Sequence, residues 1–142
     1  MNKIYFNTIL ELIKTGHWLT DSISKELKEY DIYEPQFNVL RILKGAKGEP
    51  ISVNTILDRM IQRSSNVTRI IDKLESKGLV ERTLCSKDRR KMDIILTKKG
   101  DKLLTILNKK VKKFHQQMEN NLSQKELETL QSLIIKFKGE NK

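Results

Sequence analysis

The chain has 142 residues, with Lys+Arg 28 against Asp+Glu 18 and a net charge of +10. Hydrophobic residues make up 37% and charged residues 32%; this length fits one domain with a core. No apolar run nears the roughly 18 residues that span a bilayer, and no signal-peptide core is present. The single cysteine, Cys85, excludes an internal disulfide and fits a reducing compartment, so the chain reads as soluble and cytoplasmic, without a membrane partner. The cationic surplus favours a polyanionic partner, with a lysine-rich solvated surface as the plainer alternative.

Residues 4–29 carry Ile9, Ile13, Ile23 and Leu27 at helical spacing, with Phe6, Trp18 and Leu19 nearby and a charged opposite face. Glu34-Pro35 starts a second helix, since proline suits a first helical position. Phe37, Leu40 and Leu43 line its inner side, and Gly45 and Gly48 end it. Pro50-Ile51 is a short extended piece. Ser52 is the N-cap of a third helix bearing Val53, Ile56, Leu57 and Met60. Gln62-Arg63-Ser64 makes a turn into a fourth helix over 64–77. Its Val67, Ile70, Ile71 and Leu74 form an i, i+3, i+4, i+7 set facing the core, and Gly78 is its stop.

Leu79 to Cys85 reads as a strand, and Met92 to Thr97 alternates as a second. Residues 86–91 join them as a charged hairpin that gains nothing by burial. Thr97 caps a fifth helix through Leu103, Leu107, Val111, Phe114 and Met118. Ser123 to Glu126 is a capping box opening a sixth, with Leu127, Leu130, Ile134 and Phe137. The expected fold is mainly α: a winged helix-turn-helix with a small β-hairpin wing, flanked by N- and C-terminal helices. The terminal helices have apolar stripes and little local partner. A symmetric homodimer follows, with a monomer whose ends pack back as the alternative.

A helix with a polar face followed by a basic hairpin is a layout for double-stranded DNA: one element for the major groove and one to reach beside it. On the fourth helix Asn66, Arg69 and Lys73 share a face away from the apolar set, with Ser64, Ser65 and Thr68 near the N-terminal turn. Arginine takes guanine and asparagine takes adenine bidentately, so Ser65, Asn66, Thr68 and Arg69 are the candidate base readers. Ser64 and Lys73 are candidate phosphate contacts, which position without specifying. In the hairpin, Arg90 suits a narrow, electronegative minor groove. Asp88 is the acid placed to hold an arginine, and Lys87, Arg89 and Lys91 add phosphate affinity. A wet amphipathic helix and a solvated turn are the plainer readings of each piece alone.

The run from Ser64 to Arg82, which reads SSNVTRIIDKLESKGLVER, resembles the recognition helix and following strand of the MarR family of bacterial transcription regulators. Asp88-Arg89-Arg90 with Ile94 to Gly100, and Pro35 to Leu40, resemble further parts of it in the same order. Asp88 and Arg90 match the family's Asp-x-Arg pattern, whereas Lys91 stands where many relatives have a small residue. The resemblance implies one MarR-like unit over 1–142. Residues 1–33 and 101–142 would supply the dimerisation helices and 34–100 the DNA-binding unit. It further implies a repressor, less often an activator, whose DNA affinity changes with a small-molecule effector or with oxidation. A two-fold dimer would read an inverted repeat with half-sites roughly 34–36 Å apart, or a multiple of that. Effectors in some relatives sit between the dimerisation helices and the winged unit, where His17, Trp18 and Tyr33 are the candidate lining; core packing is the other reading of these three. A protein that coats DNA without sequence preference is the alternative function, and Asn66 and Arg69 argue against it.

The sequence has no glycine-rich phosphate loop, no His-Glu-x-x-His and no nucleophile elbow, so no enzyme and no cofactor is expected. His17 and His115 lack metal-ligand spacing. Cys85 lies near cations that favour a thiolate, but the family's oxidation sensors carry their cysteine in the first helix, where this chain has none.

Overall fold

The computed structural model describes residues 1–85, 87–88 and 91–140. The order is α1 (Lys3–Lys28), α2 (Glu34–Gly45), β1 (Ile51–Ser52), α3 (Val53–Arg59), α4 (Val67–Ser76), β2 (Val80–Leu84), β3 (Met92–Leu96), α5 (Lys98–Glu119) and α6 (Gln124–Lys138). The sheet is antiparallel in the order β1-β3-β2, with Ile51 opposite Ile94 and Arg82 also opposite Ile94 on the other side. It is a winged helix-turn-helix, with six helices and three short strands among the described residues.

The helix starts follow from their caps. Ser52 Oγ accepts from the Thr55 N–H at 3.1 Å and Thr97 Oγ1 from the Gly100 N–H at 3.0 Å. In the capping box, Ser123 Oγ accepts from the Glu126 N–H at 3.2 Å, while Glu126 Oε2 accepts from the Ser123 N–H at 2.7 Å. Each cap satisfies donors that the first turn leaves without intrahelical partners.

The core gathers Leu27 of α1, Phe37, Val39, Leu40 and Leu43 of α2, Ile56 of α3, Val67, Ile71 and Leu74 of α4, Ile94 of β3, and Leu104, Leu107 and Val111 of α5. Helix α2 lies at its centre, touching α1, α3, α4, α5 and β3. Ile70, expected to face the core, is only partly buried against it. Helix α6 buries no side chain and leaves Leu130, Leu133, Ile134 and Phe137 exposed. The N-terminal half of α1 also exposes Ile4, Tyr5, Phe6 and Ile13, and the Tyr5 and Phe137 rings stack at 5.9 Å.

Two boundaries differ from the sequence reading. Helix α4 begins at Val67 rather than at Ser64. The Ser64 hydroxyl accepts from the Asn66 N–H at 3.1 Å, a local bond that competes with helical pairing and keeps 64–66 in a turn. The β1 fragment, expected only as an extended piece, is the third strand of the sheet. No described helix is long and apolar enough to cross a membrane.

Candidate nucleic-acid interface

Residues 34–100 hold 15 of the 28 basic residues and 8 of the 18 acidic ones, so most of the net charge sits on this unit. Within it, α4 presents Thr68, Arg69 and Lys73 to solvent, and the preceding turn exposes Ser65 and Asn66, with Ser64 half-buried. Asn66 occupies the N-cap position. The expected readers therefore lie together on the turn and the first two turns of the helix.

The acids of α4 are drawn off this surface. Arg82 of β2 donates from Nη1 to Glu75 Oε1 at 2.6 Å and from Nη2 to the Asp72 carboxylate, while its backbone N–H donates to Glu75 Oε2 at 3.1 Å. Its hydrogen bond to Asp72, followed by the bond to Glu75 and the charge of both, holds the guanidinium pKa above its ordinary range against a desolvation cost. Among the described residues neither Arg69 nor Lys73 forms an ion pair. The helix thus keeps two unpaired cations outward and two carboxylates paired with Arg82 toward the wing.

Both ends of α4 are tied down. At the start, Asn38 Oδ1 of α2 accepts from the Ile61 N–H at 2.9 Å, and Arg63 pairs with Asp58 at 2.9 Å. At the end, Gly78 turns with φ +73°, and Thr97 Oγ1 donates to its carbonyl at 2.7 Å. Lys77 pairs with Asp31 at 3.3 Å, and Lys99 donates to the Lys77 carbonyl at 2.9 Å. Gly100 lies so close to the Leu79 carbonyl that a Cβ there would fall 2.1 Å from its oxygen.

In the wing, the Cys85 N–H donates to the Lys91 carbonyl and the Lys91 N–H to the Asp88 carbonyl, each at 3.0 Å. Lys87 and Lys91 are exposed and Asp88 is half-buried. Ser86, Arg89 and Arg90 lie outside the described residues, and with them the expected minor-groove arginine and the arginine pairing of Asp88. The Cys85 thiol is free and half-buried.

The three candidate effector residues do not share one lining. His17 is exposed, and Trp18, 49% exposed, packs its ring 5.8 Å from Phe114 of α5. Tyr33 borders two clefts: one with Ser24, Lys28 and Ile32, the other with Asn66, Arg69 and Lys73. Sequence reasoning missed Arg82 as the clamp between α4 and the wing. Its signal was Asp72 and Glu75 at i, i+3 with an arginine seven residues on, legible only once Gly78 folds β2 back on the helix.

Residues 32–92 match the MarR family model. Among solved structures, a MarR-like transcription regulator from Bacillus cereus ATCC 10987 superposes with a TM-score of 0.84 at 23% identity, over 99% of this chain and 100% of that one. A MarR transcription factor from Planctomyces limnophilus is 28% identical with a TM-score of 0.73, over 94% and 97%. The organohalide-sensing regulator RdhR, solved with 2,4-dichlorophenol bound, gives 0.83 at 17% identity, over 99% and 83%. The MarR family model thus covers residues 32–92, and solved MarR-family transcription regulators share the fold of this chain from end to end.

Proposed function

We propose that the chain is a homodimeric, sequence-specific DNA-binding repressor. The turn 64–66 and helix α4 enter the major groove, and the wing 86–91 reaches the minor groove. The observation that carries this reading is the charge arrangement of α4: Asn66, Arg69 and Lys73 face outward while Asp72 and Glu75 are taken up by Arg82. Such a surface attracts phosphate and retains groups that read base edges. Ser65, Asn66, Thr68 and Arg69 face the bases; Ser64, Lys73, Lys87 and Lys91 meet phosphates; Arg90 enters the minor groove with Arg89 beside it, and Asp88 holds the tip.

The exposed apolar faces of α1 and α6 support dimerisation through residues 1–33 and 101–142, because a face of this kind is rarely left to water. Release of the DNA follows from a small molecule that binds a dimer with misplaced recognition helices more tightly than the DNA-bound one.

The test is selection of a random DNA library by the purified protein, followed by sequencing. An inverted repeat is the expected product. Retained DNA without a motif supports the architectural alternative, and no retained DNA in the absence or presence of candidate effectors overturns the DNA reading.

A further inference from the structure

We propose that Tyr33 contacts the DNA backbone at the flank of the recognition helix. This rests on the DNA-binding reading above and adds a residue to it. Tyr33 stands just ahead of α2 and is 63% exposed. It borders a cleft of about 250 Å³ whose lining includes Asn66, Arg69 and Lys73. That lining carries two cations and no carboxylate. The neighbouring cleft, which shares Pro35 and Ser64, has Glu34 on its wall beside Arg63, a cation already paired with Asp58, and is the less favourable path for a phosphate.

The main chain that carries the phenol is fixed. The Tyr33 N–H donates to Oε1 of the buried Gln36 at 3.0 Å, and its carbonyl accepts from the Phe37 N–H at 3.0 Å. An anchored backbone with an exposed ring beside the polar face of α4 is a pre-organised arm. When α4 lies in a major groove, a group at its flank meets sugar and phosphate rather than base edges. The phenolic O–H is a donor there.

A neutral donor leaves a signature that a lysine does not. It displaces no condensed counterion, so its loss weakens binding without altering the salt dependence, whereas loss of a lysine contact reduces the slope.

The experiment titrates full-length protein against a labelled duplex bearing the selected repeat and a mixed-sequence duplex of equal length, over a series of salt concentrations. Tyr33→Phe, which removes one hydroxyl from an exposed ring, is expected to lose about three- to tenfold on both duplexes with the wild-type salt slope. Lys73→Ala is expected to weaken both with a shallower slope. Wild-type binding by Tyr33→Phe beside a weakened Lys73→Ala overturns the inference and leaves the DNA reading intact. A loss confined to the selected repeat makes Tyr33 a base reader and overturns it too. If Lys73→Ala and Arg69→Ala both bind as wild type, the DNA reading itself fails, and the inference with it.

Discussion

Glu75 accepts two hydrogen bonds from Arg82, one from the backbone N–H at 3.1 Å and one from the guanidinium at 2.6 Å. The contact joins the last turn of α4 to β2, so it helps to set the recognition helix relative to the wing, with Asp72 as a second acceptor.

Arg82→Ala should therefore affect both stability and binding. Its side chain is 23% exposed and its acceptors more so, so the ion pairs are partly screened. A loss of about 1–2 kcal/mol is expected from urea unfolding, with an unchanged m-value. DNA affinity should fall as well, because loss of the guanidinium leaves the Asp72 and Glu75 charges uncompensated near the proposed DNA-facing surface. Arg82→Lys recovers little, since an ammonium cannot serve two carboxylates with a planar fork. The folded pKa of Arg82 is raised, so its contribution is complete below the unfolded value and is lost only as pH rises through the higher folded one. The stability difference between wild type and Arg82→Ala should therefore show no guanidinium titration near neutral pH.

Gly100→Ala should be among the most destabilising substitutions in the chain. The added Cβ would meet the Leu79 carbonyl oxygen at 2.1 Å and Leu96 Cδ1 at 2.8 Å. The first neighbour is backbone and cannot swing aside, so α5 would have to lift from the turn after α4. A cost of about 3 kcal/mol or more, or failure to fold, is expected by thermal and urea denaturation. Gly45→Ala is the control: nothing lies within 4 Å of its Cβ, and the variant should be neutral or stabilised by up to about 1 kcal/mol.

Local signals were legible in the sequence and long-range ones were not. Ser52, Thr97, Ser123 and Gly78 each announce a helix end by chemistry within four residues, and each does so in the structure. The apolar spacing of α4 likewise put Val67, Ile71 and Leu74 inside. The start of α4 was misread because Ser64 bonds Asn66 locally, and periodicity alone does not register that competition. The pairing of Ile51 with Ile94 and the approach of Gly100 to Leu79 join residues far apart in the chain, which no local pattern encodes. Tyr33 was grouped with His17 and Trp18 because the family resemblance places effectors between the dimerisation helices and the winged unit. After the turn at Asp31, with φ +54°, it borders both a cleft against α1 and one against α4, a placement that no local pattern encodes.

The two arginines of the interface should separate by sequence dependence. Arg69 lies on the exposed face of α4 proposed to meet base edges; Arg90, outside the described residues, is the residue proposed for the minor groove. Arg69→Ala should cost about 1–3 kcal/mol on the preferred duplex and much less on a mixed-sequence one, relaxing base preference at one position of each half-site. Arg90→Ala should weaken binding to most sequences by a similar factor. Competition binding against a panel of single-base variants measures both, and equal losses from the two variants on every duplex would contradict the division of labour.

Dimerisation is tested where the monomer is least finished. Helix α6 buries nothing, yet Leu130 and Ile134 fall four apart on one face and are only 44% and 37% exposed, partly sheltered but without a full partner. Two glutamates there would carry charge into any apolar seam and cost several kcal/mol of association. They would leave the core of the winged unit alone, because none of its buried residues comes from α6. The Leu130→Glu, Ile134→Glu double variant should sediment as a monomer, keep its helical circular dichroism, and bind an inverted repeat at least tenfold more weakly than wild type, with little loss on a single half-site. Half-site binding isolates the winged unit from the coupling between subunits, so its survival alongside loss of the full repeat would assign α6 to the dimer contact. A double variant that remained dimeric would move that contact elsewhere on the chain.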